Sequence, residues 1–188
     1  AQPWAGGMVQ SFGFSYVGLT QWALCEGPER PDAMVIGVSS RDFSRSIFYP
    51  GGGFAMETGV VWCYALDFQE RPPIVGLYRL LRARPRVAKA SLAVPPEDAV
   101  LTATGHRMSF FEDWLAHSPD DPWWQPLRFA EQPGTPPITL LAGWQDLFLT
   151  GGFADYATLR DRGDDVRIIA GDWTHHGPDA GVVAVREL

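Results

Sequence analysis

The chain has 188 residues, a length that suits one domain with a hydrophobic core. Its formal net charge of −7 argues against nucleic acid or an anionic membrane surface as the main partner. No apolar run approaches the roughly 20 residues of a membrane span. The two cysteines, Cys25 and Cys63, are too few for a disulfide framework and lack the spacing of a metal site. The compartment, cytoplasmic or secreted, therefore stays open.

Strand-like and helix-like segments alternate along the chain. The predicted order is a strand at 8–12, a helix at 19–25, a strand at 33–38, a long helical stretch over 54–129, a strand at 137–142, a helix at 152–162 and a strand at 166–170. Strands that alternate with helices indicate an α/β fold with a mainly parallel sheet. Inside the helical stretch, helix spacing covers 54–66, 74–83 and 105–117, with proline-rich joints between them.

A glycine-rich turn joins the first strand to the first helix. It reads Gly13-Phe14-Ser15-Tyr16-Val17-Gly18, which is close to the Gly-x-Ser-x-Gly pattern of a nucleophile elbow, with the second glycine one position late. Such a turn exposes the Ser15 hydroxyl, and the Tyr16 N–H at the helix N-terminus can stabilise an oxyanion. By itself the turn is equally compatible with an ordinary strand-to-helix loop.

An acid and a base follow in the order that this type of fold requires. Asp146 comes after the strand at 137–142, and His175 comes after the strand at 166–170. Both therefore lie on loops at the carboxyl ends of strands, where α/β folds place reactive groups. The order Ser, Asp, His is the order of α/β-hydrolases. The sequence therefore predicts a catalytic triad of Ser15, Asp146 and His175.

Further titratable side chains allow different interpretations. His176 adjoins His175 and could be the base in its place, whereas Asp155 is predicted on a solvated helix face. His106 and His117 are predicted to be structural, hydrogen-bonded residues. Four side chains crowd the last loop and could bind a metal, but no further cluster completes a shell: Asp172, His175, His176 and Asp179. The sequence therefore predicts no metal and no cofactor.

The longer string around the turn carries a family resemblance. Gly13 to Trp22, GFSYVGLTQW, resembles the elbow of the cocaine esterase and Xaa-Pro dipeptidyl-peptidase family, G-x-S-Y-x-G-x-T-Q-W, which has the same displaced glycine. Gln2-Pro3-Trp4 followed by Gly7 looks like the segment before that elbow. The Gly-Trp-x-Asp around Asp146 and the Gly-x-Trp-Thr-His around His175 resemble the family's acid and base motifs. Asp172 stands where the family often has proline.

The resemblance implies an α/β-hydrolase fold. The chain would form the C-terminal part of its mainly parallel sheet, with an inserted helical cap over the active site. The expected division is an elbow part at 1–53, the cap at 54–130 and the rest of the core, with the acid and base loops, at 131–188. Family members have further strands before the elbow, one of which leads to a second oxyanion donor, and a jelly-roll domain after the base. We therefore expect a fragment that is unstable or weakly active by itself.

The resemblance also implies an activity. The chain would be a serine hydrolase that cleaves ester or amide bonds through an acyl-enzyme. A rival within this chemistry is an Xaa-Pro dipeptidyl-peptidase, which needs an acidic anchor for the substrate amino group; the candidates are Glu112, Asp113 and Asp121. An acyltransferase would use the same triad while excluding water. A non-catalytic binding domain on a hydrolase scaffold is the competing hypothesis of a different class.

The expected partner is a small ester, amide or short peptide, and neither nucleic acid nor a membrane. Aromatic side chains near the triad are candidates for substrate contact, although each could equally be a core residue. Trp144 and Trp173 border the acid and the base, and Phe14 precedes the nucleophile. Trp114 and the Trp123-Trp124 pair are candidates from the predicted cap.

Overall fold

A computed structural model describes residue 3, residues 6–69 and 72–175, and residue 177. The elements follow in this order: β1 Gln10–Phe14, α1 Ser15–Leu24, β2 Ala33–Gly37, a π-helical turn Ser44–Phe48, a 3-10 turn Pro50–Gly52, α2 Met56–Gln69, α3 Pro73–Leu81, α4 Ala83–Ala90, α5 Asp98–Thr104, α6 Ser109–Ala116, a 3-10 segment Pro122–Leu127, β3 Ile138–Gln145, α7 Leu149–Asp161 and β4 Val166–Thr174. The chain divides into two compact units. The sheet unit comprises residues 1–46 and 125–188, and the helical unit comprises residues 47–124.

The sheet unit contains four parallel strands in the order β1-β2-β3-β4. One row of partners crosses the whole sheet, from Gly13 through Ile36 and Leu140 to Ile168. Because all strands run the same way, their carboxyl ends meet at one edge, and the loops that follow them lie side by side. The prediction of an α/β fold with a mainly parallel sheet is confirmed.

Both faces of the sheet are covered, as is typical of parallel strands. On one face, Ile36 and Leu140 pack with Trp22 of α1 and Leu159 of α7, and both helix residues are completely buried. On the other face, Val35 and Leu141 pack with Trp173. Neighbouring residues of one strand thus reach opposite faces, since side chains alternate along a strand. The continuous apolar run at 33–38 follows from this two-sided burial.

The helical unit has an aromatic core of its own. Trp124 and Phe111 are completely buried, and the ring centroids of Phe48 and Trp114 lie 4.2 Å apart. The Tyr49 hydroxyl donates a 2.8 Å hydrogen bond to the Trp114 carbonyl oxygen, which joins the start of the unit to α6. Aromatic pairs of this kind contribute about 0.5–1.5 kcal/mol each beyond their buried area. That this unit caps an active site stays a prediction.

The structure corrects some predicted element bounds. The helix predicted over 105–117 is present as α6 but begins later, at Ser109, because Gly105 has a φ of +94° and ends α5 instead. Left-handed glycine is a common helix terminator. The first helix also begins at Ser15 and not at Leu19, directly after the last residue of β1. Among the described residues, no helix is long and apolar enough to cross a membrane.

Candidate active site

The turn at Ser15 has the geometry of an elbow. Ser15 adopts a φ of +55°, a left-handed conformation that costs a residue with a Cβ about 1–2 kcal/mol. A Cβ on Gly13 would lie 2.3 Å from the Val17 carbonyl oxygen, and one on Gly18 would lie 2.5 Å from the Ser39 Cβ. No real side chain tolerates such distances. The turn therefore needs glycine at both positions.

The displaced second glycine follows from the same contacts. Val17, at the position where the usual pattern has glycine, is 55% exposed, so its side chain has room in solvent. Gly18 is the residue of α1 that approaches the loop after β2, where Ser39 lies. In this chain the close contact is therefore made by Gly18, one residue later than in the usual pattern, and this is the position that needs glycine.

Folding brings the three predicted triad side chains together. The Ser15 Oγ lies 2.8 Å from the His175 Nε2, and the His175 Nδ1 lies 2.6 Å from the Asp146 Oδ2. The Asp146 side chain is 1% exposed and that of His175 is 17% exposed. With Asp146 ionised, the Nδ1–H donates to the carboxylate, so that Nε2 can accept a proton from the Ser15 hydroxyl. The three groups form one hydrogen-bonded series that ends on the Ser15 hydroxyl.

Two further contacts hold the Asp146 side chain and the imidazole beside it in place. The Asp146 Oδ1 accepts a 2.7 Å hydrogen bond from the Phe148 backbone N–H, which closes the turn between β3 and α7. The Phe148 ring is buried, and its centroid lies 5.6 Å from that of His175. One carboxylate oxygen is therefore used by the backbone, which leaves the second oxygen directed at the imidazole.

The loops that carry Asp146 and His175 are joined where strands β3 and β4 end. β3 and β4 pair from Ile138 to Gln145, with an irregularity between Gly143 and Gln145. Beyond it, the Gln145 Nε2 donates a 2.8 Å hydrogen bond to the Asp172 Oδ1. Asp172, the departure from the family pattern, thus ties the two loops together. Sequence reasoning did not identify this link, since the partners lie 27 residues apart.

Tyr16, the predicted oxyanion donor, is the second residue of α1. The N–H groups of a first helical turn point out of the helix N-terminus, and the helix dipole favours negative charge there. Its side chain is 57% exposed, and the predicted donor is its backbone N–H. The role of its N–H stays a prediction.

The aromatic side chains predicted to contact substrate differ in exposure. Trp144 is 54% exposed, and its ring stacks on that of Phe153 at a centroid distance of 5.9 Å. Trp173 is 9% exposed and packs in the core with Val35, and Phe14 packs against the same cluster. Trp114 is also 9% exposed and lies in the aromatic core of the helical unit. Their contact with substrate stays a prediction.

The prediction that Asp155 lies on a solvated helix face is wrong. Asp155 is 4% exposed and forms an ion pair with Arg41, whose Nε lies 3.3 Å from the Asp155 Oδ1. Burial raises the pKa of this carboxyl from 3.8 to about 6, although hydrogen bonding and the charge of Arg41 lower it. The helical pattern of α7 did not reveal this, because the partner lies 114 residues away.

The remaining histidines have structural partners or lie outside the described residues. The His117 Nδ1 lies 3.0 Å from the Asp121 Oδ2, and the His106 Nε2 lies 3.7 Å from the Asp67 Oδ1. His176, the second candidate for the base, and the metal candidate Asp179 are outside the described residues. In the part of the chain that the structure describes, no group of three or more histidine, cysteine or acidic residues could hold a metal.

Both cysteines are free and buried in the cores. Burial raises the pKa of Cys25 to about 11, despite an opposing effect of Arg30. Burial also raises the pKa of Cys63 to about 12. Because the thiolate is the reactive form, neither side chain is a nucleophile near neutral pH.

Comparison with known proteins gives the family. The family model described as X-Pro dipeptidyl-peptidase (S15 family) matches residues 1–177. Cocaine esterase from Rhodococcus sp. (strain MB1 Bresler) is 28% identical over 190 residues, which cover 93% of this chain and 32% of that protein. The chain thus spans about a third of the length of this relative.

Solved structures of esterases are also similar. A bacterial heroin esterase matches with a TM-score of 0.46 and 14% identity, over 95% of this chain and 47% of that one. An esterase from Pyrobaculum calidifontis matches with a TM-score of 0.41 and 15% identity, over 94% of this chain and 46% of that one. The match to the family model covers nearly the whole chain, and the parallel sheet agrees with an α/β-hydrolase fold. The chain therefore belongs to the X-Pro dipeptidyl-peptidase (S15) family of serine hydrolases.

Proposed function

We propose that the chain carries the catalytic triad of a serine hydrolase that cleaves small esters or amides, with Ser15 as nucleophile, His175 as base and Asp146 as acid. The observation that supports this most is the hydrogen-bonded series of 2.8 Å and 2.6 Å that ends on a serine in a left-handed turn. A buried structural serine needs neither the strained turn nor an imidazole that is itself oriented by a carboxylate.

The reaction proceeds in two halves. The Ser15 Oγ attacks the substrate carbonyl carbon while its proton passes to the His175 Nε2, and the carbonyl oxygen becomes an oxyanion near the Tyr16 N–H. The tetrahedral intermediate collapses, the bond to the leaving group breaks, and the His175 Nε2–H protonates the leaving group. Water then attacks the acyl-enzyme by the same route, releasing the carboxylic acid and the free serine. Throughout, the Asp146 carboxylate stabilises the imidazolium without taking its proton.

We infer that ester substrates fit better than dipeptides with a free amino terminus. A dipeptidyl-peptidase needs a carboxylate that can bind an ammonium group. Two of the three candidates already have partners, since Glu112 lies 2.9 Å from Arg107 and Asp121 is bonded to His117. Releasing either anchor would break an existing pair, which an ester substrate does not require.

A fluorophosphonate probe tests the proposal. It reacts only with a serine that a neighbouring base has activated, so we expect the wild-type chain to be labelled and Ser15→Ala not to be. Ser11→Ala is the matched control, because Ser11 lies in β1 and its buried Oγ accepts and donates no hydrogen bond within the described residues. We expect Ser11→Ala to be labelled as fast as the wild type.

Two results would contradict the proposal. Labelling that persists in Ser15→Ala would place the nucleophile elsewhere. A folded full-length protein that is not labelled would favour a non-catalytic binding domain. Hydrolysis of a p-nitrophenyl ester, compared with that of an Ala-Pro p-nitroanilide, separates the esterase from the dipeptidyl-peptidase.

A further inference from the structure

A short segment contacts both α1, which begins at Ser15, and α7, which follows Asp146. We call residues 39–46 the spacer loop; it follows β2 and lies within the sheet unit. A Cβ on Gly18 of α1 would lie 2.5 Å from the Ser39 Cβ. A Cβ on Gly151 of α7 would lie 3.0 Å from the Ser40 Cβ and 2.8 Å from the Ser46 Cβ. Glycine on both helices therefore allows them to approach the spacer loop directly.

The proposed catalytic series starts at the first residue of α1 and ends at Asp146, shortly before α7. Ser15 is the first residue of α1, and α7 begins at Leu149, three residues after Asp146. His175 bridges Ser15 and Asp146: its Nε2 lies 2.8 Å from the Ser15 Oγ, and its Nδ1 lies 2.6 Å from the Asp146 Oδ2. Because the spacer loop packs against both helices, its position contributes to the distance between Ser15 and Asp146.

The buried side chain of Asp155, on α7, binds the spacer loop through hydrogen bonds and an ion pair. Its Oδ2 accepts a 2.9 Å hydrogen bond from the Arg41 backbone N–H, its Oδ1 pairs with the Arg41 Nε at 3.3 Å, and Ser40 adds a side-chain hydrogen bond. Arg41 is held in turn by Phe129, whose N–H donates to the Arg41 carbonyl oxygen at 3.0 Å and whose own carbonyl oxygen accepts from the Arg41 Nη1 at 3.2 Å. A carboxylate that is 4% exposed keeps such partners, because an unpaired buried charge is very costly.

We propose that Asp155 is a positioning residue for the hydrolytic site: through Arg41 it fixes the spacer loop against α1 and α7, and thereby the relative positions of Ser15, His175 and Asp146. This inference rests on the proposed function. The hydrogen bonds and the ion pair of Asp155 go to Arg41 and Ser40, so its effect passes through the spacer loop. A displacement of about 1 Å between reacting groups can lower a rate about 100-fold, whereas substrate binding elsewhere is unaffected.

The test compares Asp155→Ala and Asp155→Asn with Asp161→Asn. Asp161 lies on the same helix in an exposed pair with Arg160, so its substitution removes a carboxylate without touching the spacer loop. Fluorophosphonate labelling is measured over a range of probe concentrations, which separates the limiting rate from the probe affinity. We expect the limiting rate to fall about 10- to 100-fold in Asp155→Ala, with unchanged affinity. Asp161→Asn should behave as the wild type.

Asp155→Asn keeps the test decisive if the alanine variant does not fold. Asparagine keeps the size of the side chain and still accepts from the Arg41 N–H, but it lacks the charge, so we expect a several-fold loss of rate. Arg41→Gln should show a similar loss, and the double variant should be no slower than the single ones, because both act through one contact. Circular dichroism establishes that each variant is folded. A folded Asp155→Ala with the wild-type limiting rate, or an equal loss in Asp161→Asn, would overturn the inference.

A second readout separates this inference from the proposed function. The proton between the His175 Nδ1 and Asp146 gives a low-field proton resonance whose position depends on the geometry of that hydrogen bond. We expect it to shift or broaden in Asp155→Ala and to stay unchanged in Asp161→Asn. If the wild type is not labelled at all, the proposed function fails while this resonance still decides the positioning role. An unchanged resonance in Asp155→Ala would count against it.

Discussion

Gly18→Ala tests whether the close approach of α1 to the spacer loop matters. Gly18 is the fourth residue of α1, and its φ is not left-handed, so alanine brings no backbone strain. The new Cβ would lie 2.5 Å from the Ser39 Cβ and 2.9 Å from the Ser39 Oγ. Carbon atoms in contact prefer about 3.5–4.0 Å, so helix and loop must separate by roughly 1 Å.

The expected magnitude combines two opposing effects. Forcing an extra methyl group into packed structure costs about 1–3 kcal/mol. Alanine recovers up to about 1 kcal/mol relative to glycine inside a helix. The net loss of stability then lies between about 0 and 3 kcal/mol, and we expect about 1–2 kcal/mol, the middle of that range. Because Ser15 moves with α1, the labelling rate should fall by roughly 10- to 100-fold.

Gly152→Ala provides the matched control. Gly152 is the fourth residue of α7, and the nearest atom to its added Cβ is the Ser39 carbonyl oxygen at 3.9 Å, an ordinary contact. This variant should be as stable as the wild type or up to about 1 kcal/mol more stable, with an unchanged labelling rate. Urea unfolding and fluorophosphonate labelling measure both variants. A Gly18→Ala chain that matches Gly152→Ala in stability and rate would refute the argument.

Three further predictions concern the acid, the buried carboxyl and the core. Asp146→Asn should lower the rate of ester hydrolysis by about 10³–10⁴-fold without unfolding the chain, because the imidazole loses the partner that sets its tautomer; a loss under about tenfold would contradict this. The pKa of Asp155 is raised by burial from 3.8 to about 6, so the folded state binds the proton more tightly and this group's contribution to stability falls as pH rises from about 4 to 6. Unfolding at both ends of that window should show Asp155→Asn gaining up to about 3 kcal/mol relative to the wild type, and a difference that does not vary with pH would be inconsistent with the shift. Ile36→Ala, at a position that is 1% exposed, should cost about 2–4 kcal/mol in urea unfolding, whereas Val17→Ala, at one 55% exposed, should change stability by less than about 0.5 kcal/mol.

Local signals determined the class of the fold and the three proposed catalytic residues. The apolar run at 33–38 and the alternation of strands and helices follow from burial of the sheet on both faces. Such burial is visible in the residues of each segment taken alone. Gly13 and Gly18 mark a turn whose backbone cannot accept a Cβ. Because parallel strands end at one edge, the residues that follow them could be placed in one region before any distance was known.

Contacts between distant segments were decided only by the tertiary structure. Asp155 occupies a helix position that the pattern assigns to solvent, and only the loop after β2 brings Arg41 to it, 114 residues away in the sequence. Trp173 lies two residues before His175 in the sequence, yet its ring is buried because it packs against Val35 and Leu141 on one face of the sheet. Periodicity reports which face a segment buries, but the partner depends on strand order and register, which no single segment contains.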